Sequence, residues 1–340
     1  DEDFFKMAWK NFRMQSSEFP ADLAANVLNT MMRYKQYQNL AGITDLSRDL
    51  YLAESENLQP GQAAKILAAV IRIHQHDRRF LHNILPSPKF DLAKIRYFDL
   101  INIISSLGNA NLNSAGDAKF WEPYVRALEN RTEEELRIPN VLSKTLWGLA
   151  RCPSAMTTLS ERYESILINY NTETFAKLPL HSISWSLSKM GVKHQGLYSR
   201  IDEELALKFH SYSFQQILLQ LSVLLSQGVK NGQLQIKTEN LAEDLFEKAS
   251  LRDKVHFLSI LTRYRLQRTK SVVKLAQTVL SEQKTYGELS FDQKYSLLVS
   301  LVKYGDRSSP LLEALSKEVF QQIETLKYNQ FKGFIELLTL

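Results

Sequence analysis

Apolar and polar positions along this chain follow a helical period, and the pattern itself recurs about every 38 residues. It is clearest as Ile183-Ser-Trp185-Ser-Leu187-Ser-Lys189-Met190-Gly191: an apolar helix face, a basic residue, an apolar residue and a glycine. Related segments run from Leu298 to Gly305, Leu258 to Tyr264, Leu221 to Gly228 and Leu146 to Arg151, with weaker copies at Ile101 to Gly108, Ala68 to Ile73 and Leu28 to Tyr34. One equivalent apolar position from each gives the anchors Met31, Val70, Ile104, Leu149, Leu187, Leu224, Leu261 and Leu301. Their separations are 39, 34, 45, 38, 37, 37 and 40 residues. A second amphipathic segment follows the anchors, as in Leu197–Ile201–Leu205–Phe209, Val272–Leu275–Ala276–Val279 and Leu311–Leu312–Leu315–Val319. Spacings of three and four place each set on one helix face, which must be buried against a neighbour.

These patterns predict an all-α fold, a right-handed α-solenoid of about eight degenerate helical hairpins. Pro20, Pro60, Pro139, Pro179 and Pro310 fall just before helical segments, where a missing N–H costs little. Gly191, Gly228 and Gly305 follow the first helix of their hairpins, where a left-handed cap is wanted. No Gly/Ser linker or long charge block divides the chain. Residues 1–340 are therefore expected to form one array, more divergent over 1–140 and better formed over 141–340. The segment from Phe331 to Leu338 reads as a first helix without its partner, so continuation past Leu340 or a covering partner is expected.

Composition agrees. Apolar residues make up 44% of the chain, enough for a continuous core, and only 12 Gly and 9 Pro occur, too few for the frequent turns of an α/β or all-β chain. The single cysteine, Cys152, cannot form an intramolecular disulfide, which fits a reducing compartment. No apolar run approaches the ~20 residues that span a bilayer. The acidic start, DEDFFKMAWK, reads as a processed end, so a transit peptide would not be part of this chain.

The run from Ile183 to Gly191, then Leu197 to Leu205, then Phe214-Gln-Gln-Ile217 opening the next hairpin, resembles octotricopeptide and heptatricopeptide arrays. It also resembles the helical region of FAST-kinase-like and RAP-domain proteins, although the RAP module itself is not visible in the sequence. The likeness is best from Val141 to Val319 and includes Trp147 and Trp185. It implies RNA processing, RNA stability or ribosome assembly in the mitochondrial matrix or another organelle. Some relatives are structural subunits of mitochondrial ribosomes or other large assemblies. A non-catalytic scaffold that binds proteins through the solenoid is thus the alternative.

The position two residues after the anchor is basic in six of the eight hairpins: Arg33, Arg72, Arg151, Lys189, Arg263 and Lys303. Stacking would align these into a cationic stripe able to follow a phosphate backbone. Each also sits in a last helical turn, where the dipole alone favours a cation. Residues 1–170 carry 20 basic and 20 acidic side chains and residues 171–340 carry 22 and 17, so the net charge of +5 lies in the second half. Between Arg252 and Lys274, seven cations face Asp253 alone, with Phe257 and Tyr264 interleaved. Arginine beside an aromatic ring suits single-stranded RNA. The RNA-binding candidates are therefore Arg33, Arg72, Arg151, Lys189, Arg252, Lys254, Arg263, Tyr264, Arg265, Arg268, Lys270 and Lys303. The neutral first half, with acidic patches at Asp1–Asp3 and Glu133–Glu135, suits a protein partner. No DNA partner is expected.

Trp147 and Trp185 share one repeat position and read as core residues. His74, His76, Asp77 and His82 form a metal-like cluster, but Arg78 and Arg79 beside it oppose a divalent ion, and no metal is expected. The runs Glu133–Glu135 and Asp202–Glu204 read as helix starts. No Gly-rich phosphate loop, H-E-x-x-H, G-x-S-x-G or paired-cysteine spacing occurs, so neither catalysis nor a cofactor is expected.

Overall fold

The computed structural model describes residues 43–54, 58–110, 112–153, 157–241, 249–264, 288–304 and 310–321, with single positions at 7, 10, 23, 26–28 and 30. The chain is all-α: the described residues form helices and connecting turns, with no strand among them. None of these helices is long and apolar enough to cross a membrane. The contacts group into two compact units, Asp1–His194 and Gln195–Leu340.

In the first unit, α1 (Ile43–Glu54), α2 (Pro60–Ile73), α3 (Arg78–Ile84), α4 (Tyr97–Asn109) and α5 (Ala118–Glu129) are followed by the short α6 (Glu133–Leu136). Then come α7 (Pro139–Leu149), α8 (Thr157–Asn169), the short α9 (Thr172–Lys177) and α10 (Leu180–Lys189). The second unit holds α11 (Gln195–Leu207), α12 (Phe214–Ser226), α13 (Gln233–Asn240), α14 (Leu251–Arg263), α15 (Phe291–Tyr304) and α16 (Pro310–Gln321).

Local chemistry fixes the helix ends. Pro60 and Pro139 occupy the first turns of α2 and α7. Asp77 and Asn171 accept the backbone N–H groups of Phe80 and Thr174 at 3.1 and 2.8 Å. At α12, Ser213 and Gln216 satisfy each other's N–H groups, a capping box. Glu133–Glu135 open α6 behind the Thr132 cap, as the dipole favours. Gly191 and Gly228 turn the chain at φ of 82° and 85°. The next N–H in each case, from Val192 and Val229, reaches back to Leu187 and Leu224 carbonyls at 3.0 Å, closing α10 and α12.

In the first unit α2, α4, α7 and α10 pack side by side in that order, and in the second α12, α14 and α15 do the same. These helices carry the anchors, and Val70, Ile104, Leu149, Leu187, Leu224, Leu261 and Leu301 are all buried. Met31 lies outside the described residues. Leu197, Ile201, Leu205 and Phe209 are also buried, as are Leu315 and Val319 of α16. At about 1.5–3 kcal/mol for each buried large apolar side chain, these rows supply most of the cohesion. Val272–Val279 and Gly305 lie outside the described residues.

Polar bonds also join residues 31 to 39 positions apart in the sequence. Arg131 donates to the Leu92 and Ile95 carbonyls at 3.2 and 2.7 Å, and Arg162 to those of Glu129 and Arg131 at 2.6 and 2.8 Å. Tyr124 reaches the Leu85 carbonyl at 3.2 Å and Tyr170 that of Arg137. In the second unit Lys237 donates to the Ala206 carbonyl at 2.9 Å, and Asp202 accepts the N–H groups of Gln233 and Leu234 at 2.5 and 3.1 Å.

Candidate nucleic-acid interface

On an α-helix two residues span a rotation of about 200°, so positions two before and two after an anchor lie on the face away from it. Those two positions are four apart and adjoin each other. They are Trp147 of α7 and Arg151 in the turn just past it, and in α10 Trp185 and Lys189.

The structure joins them. The Arg151 guanidinium carbon sits 3.6 Å from the centroid of the Trp147 ring and 4.8 Å from that of Trp185, bridging the seam between α7 and α10. Arg151 Nη1 also donates to the Trp147 carbonyl at 3.0 Å. Burial lowers the Arg151 pKa from its ordinary value, yet a guanidinium stays charged at any physiological pH. Both tryptophans, expected in the core, are only partly buried. The offset explains the difference, since a ring 200° from a buried anchor faces away from the core. Trp121 is the contrast: fully buried, with its indole N–H donating to the Leu112 carbonyl at 2.7 Å.

Neighbouring seams repeat the arrangement with other side chains. Arg72 of α2 donates to Ser106 of α4 at 2.9 Å, joining equivalent positions of successive rows. Lys144 of α7 donates to Asn102 of α4 at 2.5 Å. Gly108 of α4 makes room for Trp147: a methyl group there would meet Trp147 Cζ3 and Gly148 Cα at 3.2 Å. Lys189 is exposed at the end of α10.

Charge is divided between the helices of the first unit. Across α2, α4, α7 and α10 the one carboxylate is Asp99, buried and held by Arg96 at 2.9 Å. The same helices and their ends carry Lys65, Arg72, Lys144, Arg151 and Lys189. Among the described residues, the other helices of the unit hold most of the acids, among them Glu122, Glu129, Glu133–Glu135, Glu161 and Glu164, mixed with cations such as Arg126, Arg162 and Lys177. This asymmetry is hidden in the sum, because residues 1–170 are neutral overall.

Comparison with protein-family models and with curated proteins finds no match, so the functional argument rests on these residues.

The basic stretch of the second unit is placed less favourably. Arg252 and Arg263 are exposed on α14, with the Arg263 guanidinium 5.7 Å from the Tyr264 ring. Tyr264 is partly buried and donates to the Ser222 carbonyl at 3.3 Å, which ties it to α12. Lys254 is 5% exposed and lies within the unit rather than on its surface. Arg33, Arg265, Arg268, Lys270 and Lys274 fall outside the described residues, as does the side chain of Lys303.

The histidine cluster disperses. His74 is buried, with Nε2 3.2 Å from Ser47 Oγ and from the Thr44 carbonyl. Asp77 caps α3 and pairs with Arg48 at 3.3 Å. His82 lies 3.9 Å from Asp117 and packs on Phe120, while His76 is exposed. Among the described residues no three His, Cys, Asp or Glu side chains converge to hold a metal ion.

Proposed function

We infer that the chain is a right-handed α-solenoid of about eight hairpins and that it holds single-stranded RNA on the row of first helices, as a non-catalytic RNA-maturation, stability or ribosome-assembly factor of an organelle. The observation that carries the reading is the charge division of the first unit, where cations and the two tryptophans share a row that presents no exposed carboxylate. Such a row neutralises phosphates without a competing acid, and its rings and guanidinium offer stacking surfaces. The organellar setting follows from the family resemblance described above.

The test is anisotropy titration of a fluorescent single-stranded RNA across salt concentrations. Sub-micromolar binding at low salt is expected, with a salt slope that falls by about 0.7 for each phosphate contact removed. Charge reversal at Lys144 or Lys189 should weaken binding, whereas reversal at Lys177, paired with Glu173 on α9, should not. Failure to bind at low salt rejects the reading.

A protein scaffold is the second reading, and one observation favours it. Leu207 and Ile236, 75% and 41% exposed, line one open groove between α11 and α13. If that groove is the working surface, Leu207→Glu should abolish cross-linking to a partner in organelle extract and leave RNA affinity unchanged.

A further inference from the structure

We propose that the space between Trp147 and Trp185 is a stacking slot for one unpaired nucleobase, filled by the Arg151 guanidinium when RNA is absent. The inference rests on the RNA reading above and adds to it a defined subsite and ligand group.

A guanidinium is planar and stacks on aromatic faces as a base does. Arg151 lies 3.6 Å from one ring centroid and 4.8 Å from the other, so one planar cation is within stacking range of both rings. Neither indole N–H has an acceptor among the described residues, unlike that of Trp121. Each indole N–H is thus open to water or to an acceptor on a ligand. The flanking chemistry fits a nucleotide: Lys189 stands one helical turn from Trp185 and Lys144 stands near Trp147 on the same helix. Arg151 lies in the turn two residues past the end of α7, and its flexible stem lets the guanidinium leave the slot for a phosphate as the base enters. Gly108 keeps the floor under Trp147 and Arg151 clear, since a methyl group there would lie 3.2 Å from the ring and 3.4 Å from Arg151 Cδ.

The experiment compares two oligomers of equal length and charge, an oligoadenylate and its abasic sugar-phosphate counterpart. Binding to the full chain is read by anisotropy and by tryptophan emission. Oligoadenylate should bind about tenfold tighter and quench emission, because stacking on an aromatic side chain adds roughly 1–3 kcal/mol per base. Trp185→Leu should erase that preference without changing abasic affinity, Trp185→Phe should keep part of it, and Arg151→Ala should retain it. Equal affinity for the two oligomers without quenching overturns the slot and leaves RNA binding intact. Loss of the preference in Arg151→Ala overturns the exchange of guanidinium for base. Binding of neither oligomer at low salt overturns the RNA reading as well. Should Trp185→Leu fail to fold, the comparison of oligomers on the unmodified chain decides.

Discussion

Gly148 brings α7 so close to α4 that a methyl group on its Cα would lie 2.8 Å from Ile104 Cγ2 and 3.0 Å from the Ile104 carbonyl oxygen. A carbonyl in a helix cannot move aside as a side-chain tip can. Gly148→Ala should therefore push the two helices apart and lower the stability of the first unit by about 1–3 kcal/mol, despite alanine's better helix propensity. Urea unfolding of the variant checks this, and an unchanged or raised midpoint would refute the close approach.

Arg162 should not be replaceable by lysine. Its two nitrogens reach two different carbonyls, of Glu129 and Arg131, and an ammonium cannot reproduce that fork. Arg162→Lys is expected to cost about 1–2 kcal/mol, as for one lost hydrogen bond to a charged group. Denaturant titration gives the number, and Arg126→Lys, whose exposed side chain pairs with Glu122, serves as the neutral control.

Asp202 closes the start of α13 from a neighbouring helix, and Asp202→Ala leaves the Gln233 and Leu234 N–H groups without their acceptor. About 1–3 kcal/mol should be lost from the second unit. Burial raises the Asp202 pKa above 3.8, outweighing those two N–H groups. The folded state therefore holds the proton more tightly. Relative to Asp202→Asn, stability should fall as pH rises from 3.8 through the raised value, then stay level. A difference between the two proteins that grows toward neutral pH in the opposite sense would contradict this assignment.

His74 gives the opposite slope. Burial first, and the Arg48 guanidinium second, lower its pKa below 6.5 against the pull of the Thr44 carbonyl, Asp77 and Asp45. The neutral ring is the folded form, so its contribution is complete above pH 6.5 and is lost as pH falls through the lowered value. Thermal melts of the unmodified chain should show this loss in mildly acidic buffer, and His74→Leu should remove that part of the slope.

What was legible in the sequence was whatever obeys the anchor period. Val70, Ile104, Leu149, Leu187, Leu224, Leu261 and Leu301 are buried because a residue repeated at one register of stacked helices has a single environment. The glycine caps at Gly191 and Gly228 were legible for a similar reason, since a left-handed turn selects its residue type. The stacking of Arg151 on Trp147 and Trp185 was not. Reading Trp147 and Trp185 as core treats hydrophobicity as sufficient, whereas their offset from the anchor turns them outward. The spacing of four between Trp147 and Arg151 was the available signal. The charge division was masked by summing over halves of the chain rather than over alternate helices. Contacts such as Gly148 on Ile104, or Asp202 on α13, depend on how helices meet and leave no local signature.

Among the described residues, many bonds between helices well separated in sequence end on main-chain oxygens, such as those of Leu92, Ile95, Glu129, Arg131, Arg137 and Ala206. A carbonyl is present whatever residue carries it, so the receiving helix is under no obligation to keep a particular side chain there. Only the donor has to persist. Such one-sided fastening leaves the sequence of the receiving helix free to change while the contact itself is kept.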